Sequence, residues 1–173
     1  MKKYIPNMYK KNILDIDYKK LKEIGIKCLI FDLDNTIALI DEHEIPKNVE
    51  KLFKELNKEF TVVIISNNYK KRISAFCEPF NTPFVSFAMK PLPFGFIKIK
   101  NKYKFDKKEM CMIGDQLMTD ILGANSFGIY TILVDPLGKK DLKITSINRM
   151  LENQKIKKLT KRNILERGKY YGW

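Results

Sequence analysis

The residues best able to do chemistry are acids that close apolar runs. Cys28 to Leu33 leads into Asp32-Leu33-Asp34-Asn35-Thr36, with two carboxylates two positions apart. A continuing strand would turn both to one face; a chain that curls there lets one carboxylate and one main-chain carbonyl reach the same cation. The alternative is a polar strand terminus with a turn-forming Asp-Asn. Thr61 to Ser66 runs into Ser66-Asn67-Asn68 ahead of a helix. A hydroxyl with backbone N–H groups suits an anion, although these residue types also serve as ordinary helix caps. Lys90-Pro91 follows Phe84-Val85-Ser86-Phe87 and, taken alone, reads as a solvated lysine. Met110 to Gly114 continues into Gly114-Asp115-Gln116-Leu117-Met118-Thr119-Asp120. Acids close that strand and glycine permits close approach, while Asp120 has a second reading as an acid favoured in a first helical turn.

The elements that must position these residues can be read from apolar continuity. Cys28–Leu33, Thr61–Ser66, Met110–Gly114 and Ile129–Val134, with Phe84–Phe87 a weaker fifth, do not alternate, as expected of strands covered on both faces. Val49, Leu52, Phe53, Leu56 and Phe60 recur at helical spacing, with Pro46 suited to the first turn. Ile73, Phe76 and Cys77 mark a second helix, Pro93 to Tyr103 a third and Thr119 to Phe127 a fourth. Asp17 to Gly25 reads as a short helix with an Asp cap and a Gly stop. This alternation predicts an α/β fold, a three-layer α/β/α Rossmann-like sandwich with a mainly parallel sheet and right-handed crossovers. Chemistry in such folds sits beyond the carboxyl ends of the strands, where the polar residues above collect.

The series DxDxT, Ser, Lys-Pro and GDxxxxD at four successive strand ends is the motif order of the haloacid dehalogenase (HAD) superfamily. Together, LIFDLDNT, ISNN, KP, GDQLMTD and the Gly123 to Asp135 run resemble the YqeG group of HAD-IIIA phosphatases, over roughly Tyr4 to Pro136. Two other signatures fall away. Gly123 to Gly128 has P-loop glycine spacing, but Ile129-Tyr130 stands where Lys-Ser/Thr is required; a receiver domain would not need Asp34. The resemblance implies a phosphomonoester hydrolase in which Asp32 attacks phosphorus to form an aspartyl-phosphate and Asp34 acts as acid and base. It implies Mg²⁺ held by Asp32, Asp115 and the carbonyl of Asp34, with Ser66, Asn67 and Lys90 on the substrate phosphate. Thr36, Gln116 and Asp120 stand behind them: Thr36 bracing the first motif, Gln116 fixing its loop, Asp120 orienting Lys90 or a metal-bound water. With 29 residues between Thr36 and Ser66 and 23 between Ser66 and Lys90, no cap domain fits. An open site admits a phosphate on something large, unless oligomer neighbours form a lid.

Composition bounds the partners. The 173 residues suit one domain, expected over 1–138 with a helical lead-in, and a basic helical extension over 139–173. The extension is loosely amphipathic through Ile144, Ile147, Leu151, Ile156 and Leu159. Its eleven Lys and Arg up to Lys169, against Asp141, Glu152 and Glu166, carry +8 of the net +13. Such a charge suits an anionic partner, either membrane or nucleic acid, or merely solvates the helix. The mitochondrial and plastid relatives that this group resembles remove the terminal phosphate of phosphatidylglycerophosphate, which would pair the basic tail and the Tyr170-Tyr171-Gly172-Trp173 ending with an anionic phospholipid surface. That ending has a floppy alternative. A phosphatase for soluble sugar phosphates or nucleotides, and an RNA- or ribosome-associated protein with vestigial chemistry, remain the competing readings. Met1 to Pro6 begins with positive charge but lacks the apolar stretch of a signal peptide, so a cytoplasmic protein, or one peripheral to the inner face of the membrane, is expected. Cys28, Cys77 and Cys111 read as buried hydrophobes, and with His43 the sole histidine a zinc site or His-based triad lacks its parts.

Overall fold

Apolar runs without a polar face can be strands only if both faces are covered. In the computed structural model they are. It describes residues 2–40, 42, 45–138 and 143–173; His43, Lys139, Lys140 and Asp141 lie outside the described residues, as do the side chains of residue 79 and of residues 143–149, Ile144 and Ile147 among them. The strands are β1 (Met8–Lys10), β2 (Cys28–Phe31), β3 (Thr61–Ile65), β4 (Phe84–Val85), β5 (Met110–Gly114) and β6 (Tyr130–Val134). They form one sheet in the order β1-β6-β5-β2-β3-β4, and every pairing is parallel. The helices are α1 (Tyr18–Glu23), α2 (Lys47–Glu59), α3 (Lys70–Cys77), α4 (Phe94–Tyr103), α5 (Leu122–Phe127) and α6 (Lys143–Thr160).

Strand β2 shows how the period of two builds three layers. Leu29 and Phe31 enter one core with Phe53 and Leu56 of α2 and with Ile73 and Phe76 of α3. Cys28 and Ile30 point the other way, into a second core with Phe96 and Ile99 of α4 and Ala124 of α5. Each such side chain, removed from water, contributes about 1.5–3 kcal/mol. Burial also pushes the Cys28 and Cys77 thiols up to about 12, so neither is a nucleophile at neutral pH.

Several boundaries differ from the sequence reading. Strand β1 was not foreseen; it is three residues long and includes Lys10, too short for a periodic signal, yet it pairs with β6 in the register Met8↔Ile132. Pro46 is the cap before α2 rather than part of its first turn. The helix expected from Thr119 begins earlier, as a π turn over Leu117–Ile121 that runs into α5. The short α1 follows expectation, with Asp17 Oδ1 accepting from Lys20 N at 3.1 Å and Gly25 at φ +91°.

The C-terminal segment packs on the domain, and its end is not floppy. Leu151, expected on the apolar face of α6, is exposed; the buried stripe is Glu152, Ile156 and Leu159, packed with Leu117, Ile121 and Leu133. The pattern misleads because one member of the stripe is an acid. Glu152 is paired with Arg167 and accepts from Leu117 N at 3.1 Å, so it ties α6 to the π turn. Tyr171 exchanges backbone hydrogen bonds with Tyr9 at 3.0 and 3.1 Å and covers the outer edge of β1, which would otherwise offer unpaired groups to another strand. Tyr170 Oη donates to Asp135 Oδ2 at 2.6 Å. No helix of the described residues is long and apolar enough to cross a membrane.

Candidate active site

Parallel strands in register end together. Phe31 lies opposite both Ile64 of β3 and Ile113 of β5, so the residues that follow, Asp32, Ser66 and Asp115, emerge at one edge of the sheet. Asp32 N continues the ladder by donating to Ile113 O at 2.9 Å. Lys90 arrives from the loop after β4, and Asn67 clamps both of its backbone groups: Asn67 Nδ2 donates to Lys90 O at 3.0 Å and Lys90 N donates to Asn67 Oδ1 at 2.8 Å.

The Lys90 side chain is buried, and its ammonium donates to Asp32 Oδ1 at 2.5 Å, Asp120 Oδ1 at 2.7 Å and Ile65 O at 3.3 Å. Three donors meet three acceptors, so the group is fully satisfied. Burial alone would lower its pKa, but Asp120 and Asp32 outweigh that and hold it above the ordinary lysine value, fully protonated at neutral pH. Burial raises Asp32 well above the usual carboxylate range; Lys90 pulls it down, while Asp120 and Asp115 push it up. The Asp32–Lys90–Asp120 trio alone is net negative in a dry interior, which a cation would relieve. Oxygens of Asp32, Asp115 and Asp120 all lie within 4.8 Å of one another. Hard oxygen donors without sulfur or imidazole suit Mg²⁺ rather than a softer metal.

Asp120 reaches the cluster because of Gly114. A Cβ at that position would stand 2.4 Å from Asp120 Oδ2, and the same Oδ2 accepts from Gln116 N at 3.1 Å. Gly114→Ala is therefore expected to push Asp120 off Lys90. It should cost about 1–3 kcal/mol in urea unfolding, as overpacking does, and lower turnover by roughly a hundredfold, the scale of a 1 Å misplacement. Unchanged turnover in a stable Gly114→Ala protein would dismiss the close approach as incidental. Gly123 plays a similar packing part: its Cβ would meet Pro91 O at 2.9 Å, which accounts for the glycine in the P-loop-like stretch.

Asp34 is held apart from this cluster. Strand β2 ends at Phe31, the chain turns, and the Asp34 carboxylate accepts from Arg72 Nε at 3.1 Å and from Asn68 Nδ2 at 3.2 Å. The two acids of the first motif thus face different cations, Asp32 towards Lys90 and Asp34 towards Arg72. Thr36 Oγ1 donates to Asp115 Oδ1 at 3.3 Å and links the first motif to the last. Ser66 Oγ is buried and accepts from Asn68 N at 3.0 Å. Gln116 accepts from Thr119 Oγ1 at 3.1 Å through its side chain.

Residues 6–128 match the haloacid dehalogenase-like hydrolase family. The chain belongs to that family. It is 36% identical over 164 residues to a Bacillus subtilis protein named Probable phosphatase YqeG, covering 94% of this chain and 95% of that one. It is a phosphatase of the HAD type. It is also 26% identical over 143 residues to phosphatidylglycerophosphate phosphatase 1 of the Chlamydomonas reinhardtii chloroplast, covering 77% of this chain and about half (53%) of that protein. The fold is similar to that of the Bacillus subtilis HAD hydrolase YfnB bound to magnesium, with a TM-score of 0.56 at 14% identity, over 69% of this chain and 91% of that one.

Two contributors to this HAD-type site were missed in the sequence. Asn68 and Arg72 both engage Asp34, and Arg72 also donates to the main-chain carbonyls of Glu42 at 2.6 Å and Leu39 at 2.8 Å, holding the loop after the first motif. One signal was available. Lys70-Lys71-Arg72 puts three cations in the first turn of α3, against the helix dipole, a placement that helix stability does not favour.

Proposed function

We propose that this phosphatase is a Mg²⁺-dependent phosphomonoesterase that works through an aspartyl-phosphate on Asp32, and that it acts on a phosphate carried by a lipid head group. The observation that carries the chemistry is the buried Lys90 ammonium bridging Asp32 and Asp120, with Asp115 in the same cluster. Asp32, Asp115 and the carbonyl of Asp34 would hold the metal. Both Asp120 oxygens are engaged, by Lys90 and by Gln116 N, which favours a role in orienting Lys90. Bound there, Mg²⁺ supplies positive charge that offsets the repulsion between Asp32 and a phosphate dianion.

Asp32 attacks phosphorus, forming a carboxylate–phosphorus bond as the bond to the leaving oxygen breaks. Asp34, steadied by Arg72 and Asn68, gives that oxygen its proton. It then takes a proton from the water that attacks the aspartyl-phosphate, releasing inorganic phosphate and restoring Asp32. Ser66 and the backbone N–H of Asn67 would hold phosphoryl oxygens, and the Lys90 ammonium would exchange one of its present acceptors for another, its charge counting for more where water is excluded. Dry surroundings are supplied by burial of Asp32, Ser66, Lys90, Asp115 and Asp120.

The lipid substrate, of the phosphatidylglycerophosphate kind, is supported by the likeness to the chloroplast enzyme and by a site without a covering domain: the described residues between β2 and β4 are occupied by α2, α3 and short connections. The test is phosphate release from phosphatidylglycerophosphate vesicles, sugar phosphates and nucleotides, with and without Mg²⁺. Release from the lipid that requires Mg²⁺ is expected. Faster release from soluble monoesters, indifferent to vesicles, would replace the lipid reading; no release from any would sink the mechanism.

A further inference from the structure

Six of the fourteen large hydrophobic side chains exposed among the described residues crowd around the site: Leu39, Tyr69, Phe87, Met89, Leu92 and Leu137, each 42–70% exposed. They lie in two groups that flank Asp34 and together form its rim. Leu39 supplies a carbonyl to Arg72, which holds Asp34, and a Cβ on Gly138 would lie 2.6 Å from Leu39 Cδ2, next to Leu137. On the other side Asn68 donates to Asp34, Tyr69 follows it, and the Tyr69 and Phe87 rings meet edge-on at 5.2 Å. Phe87 N donates to Asn68 O; Met89 directly precedes Lys90 and accepts from Leu92 N at 2.8 Å. Phe87 and Met89 sit at φ +48° and +53°, a conformation that bulky residues rarely adopt, and they spend it on facing water. Beside the rim, Lys70 and Lys71 are exposed at the start of α3.

We infer that this rim is the surface by which the enzyme docks on an anionic lipid bilayer, with the reacting phosphate reaching Asp32 through the mouth between the rim residues. The inference rests on the lipid-phosphate reading above. Exposed apolar patches of this kind mark interaction surfaces. Separate aromatic and aliphatic tips with neighbouring lysines match the interfacial zone of a bilayer, where apolar groups enter and cations meet lipid phosphates. A second protein copy on the same rim would shut the mouth of the site; a bilayer offers substrate through it. This moves the docking surface away from the C-terminal segment, whose Tyr170 and Tyr171 hydroxyls are engaged by Asp135 and Pro6.

The full chain and the triple variant Tyr69→Ser/Phe87→Asn/Met89→Asn would be sedimented with phosphatidylcholine vesicles containing or lacking phosphatidylglycerol. Asparagine tolerates the left-handed backbone, and serine suits the cap position before α3. Wild type should bind the anionic vesicles and the variant should bind roughly tenfold or more weakly, with the same melting temperature and turnover of p-nitrophenyl phosphate within about twofold. Equal binding by the two proteins, or no wild-type binding to anionic vesicles, overturns the proposal. So does a wild-type dimer that the variant loses, since the rim would then cover a second copy. These vesicles carry no phosphomonoester, so docking without hydrolysis of phosphatidylglycerophosphate would sustain the surface and reject only the substrate.

Discussion

Asp32→Asn should abolish phosphate release, by roughly 10⁴-fold or more as for a lost nucleophile, without weakening the metal-free protein. Asparagine keeps an acceptor for the Lys90 ammonium, which retains Asp120 as its charged partner. It removes a negative charge buried between Asp120 and Asp115, whose repulsion already raises the Asp32 pKa beyond what burial does. The cost of about 3–5 kcal/mol for breaking a buried ion pair comes from the charge left without a partner, and here Lys90 keeps Asp120 as its partner, so no charge is stranded. In EDTA, the variant should therefore unfold within about 1 kcal/mol of wild type or above it. Added Mg²⁺ should separate the two proteins: a site filled at a hundredfold its dissociation constant stabilises by about 2.7 kcal/mol, and the variant should lose most of that increment. Thermal melts with and without Mg²⁺, alongside a phosphate assay, test both parts. A variant that turns over, or melts upward with Mg²⁺ as wild type does, would remove Asp32 from its role.

The contrast between what was legible and what was not follows from the range of each signal. Runs such as Thr61–Ile65 and Met110–Gly114 announce buried strands within a few residues, and the polar groups at their ends follow by adjacency. Parallel registry then converts adjacency in sequence into proximity in space, which is why Asp32, Lys90, Asp115 and Asp120 could be grouped before any geometry was known. Arg72 had no such marker, because its partners are a side chain 38 positions away and two main-chain carbonyls. Glu152 was hidden for a different reason. An acid in a buried stripe breaks the hydrophobic period of α6, and its burial makes sense through partners remote in sequence, the Arg167 guanidinium and the Leu117 N–H among them. The edge strand β1 is likewise defined by what covers it, β6 on one side and Tyr171 on the other, rather than by its own three residues.

Lys90→Met should be the more damaging change to the fold. Methionine fills similar space but leaves Asp32 Oδ1, Asp120 Oδ1 and the Ile65 carbonyl without the ammonium that serves all three. Removing one partner from a buried ionic set typically costs about 3–5 kcal/mol, and turnover should fall by roughly 10²–10³-fold, as when a preorganised charge is withdrawn from a reacting anion. Lys90→Arg should not restore either property, since the planar guanidinium cannot point three donors from a compact head as the ammonium does. The double variant Lys90→Met/Asp120→Asn isolates the cause. If uncompensated carboxylate charge is what destabilises the single variant, neutralising Asp120 should return part of the lost stability, a non-additivity that a double-mutant cycle measures in urea. Activity should stay lost, because the phosphate would still lack its cation. Recovery of both would mean that Lys90 merely balances Asp120, and recovery of neither would trace the damage to packing around the lysine stem instead of charge.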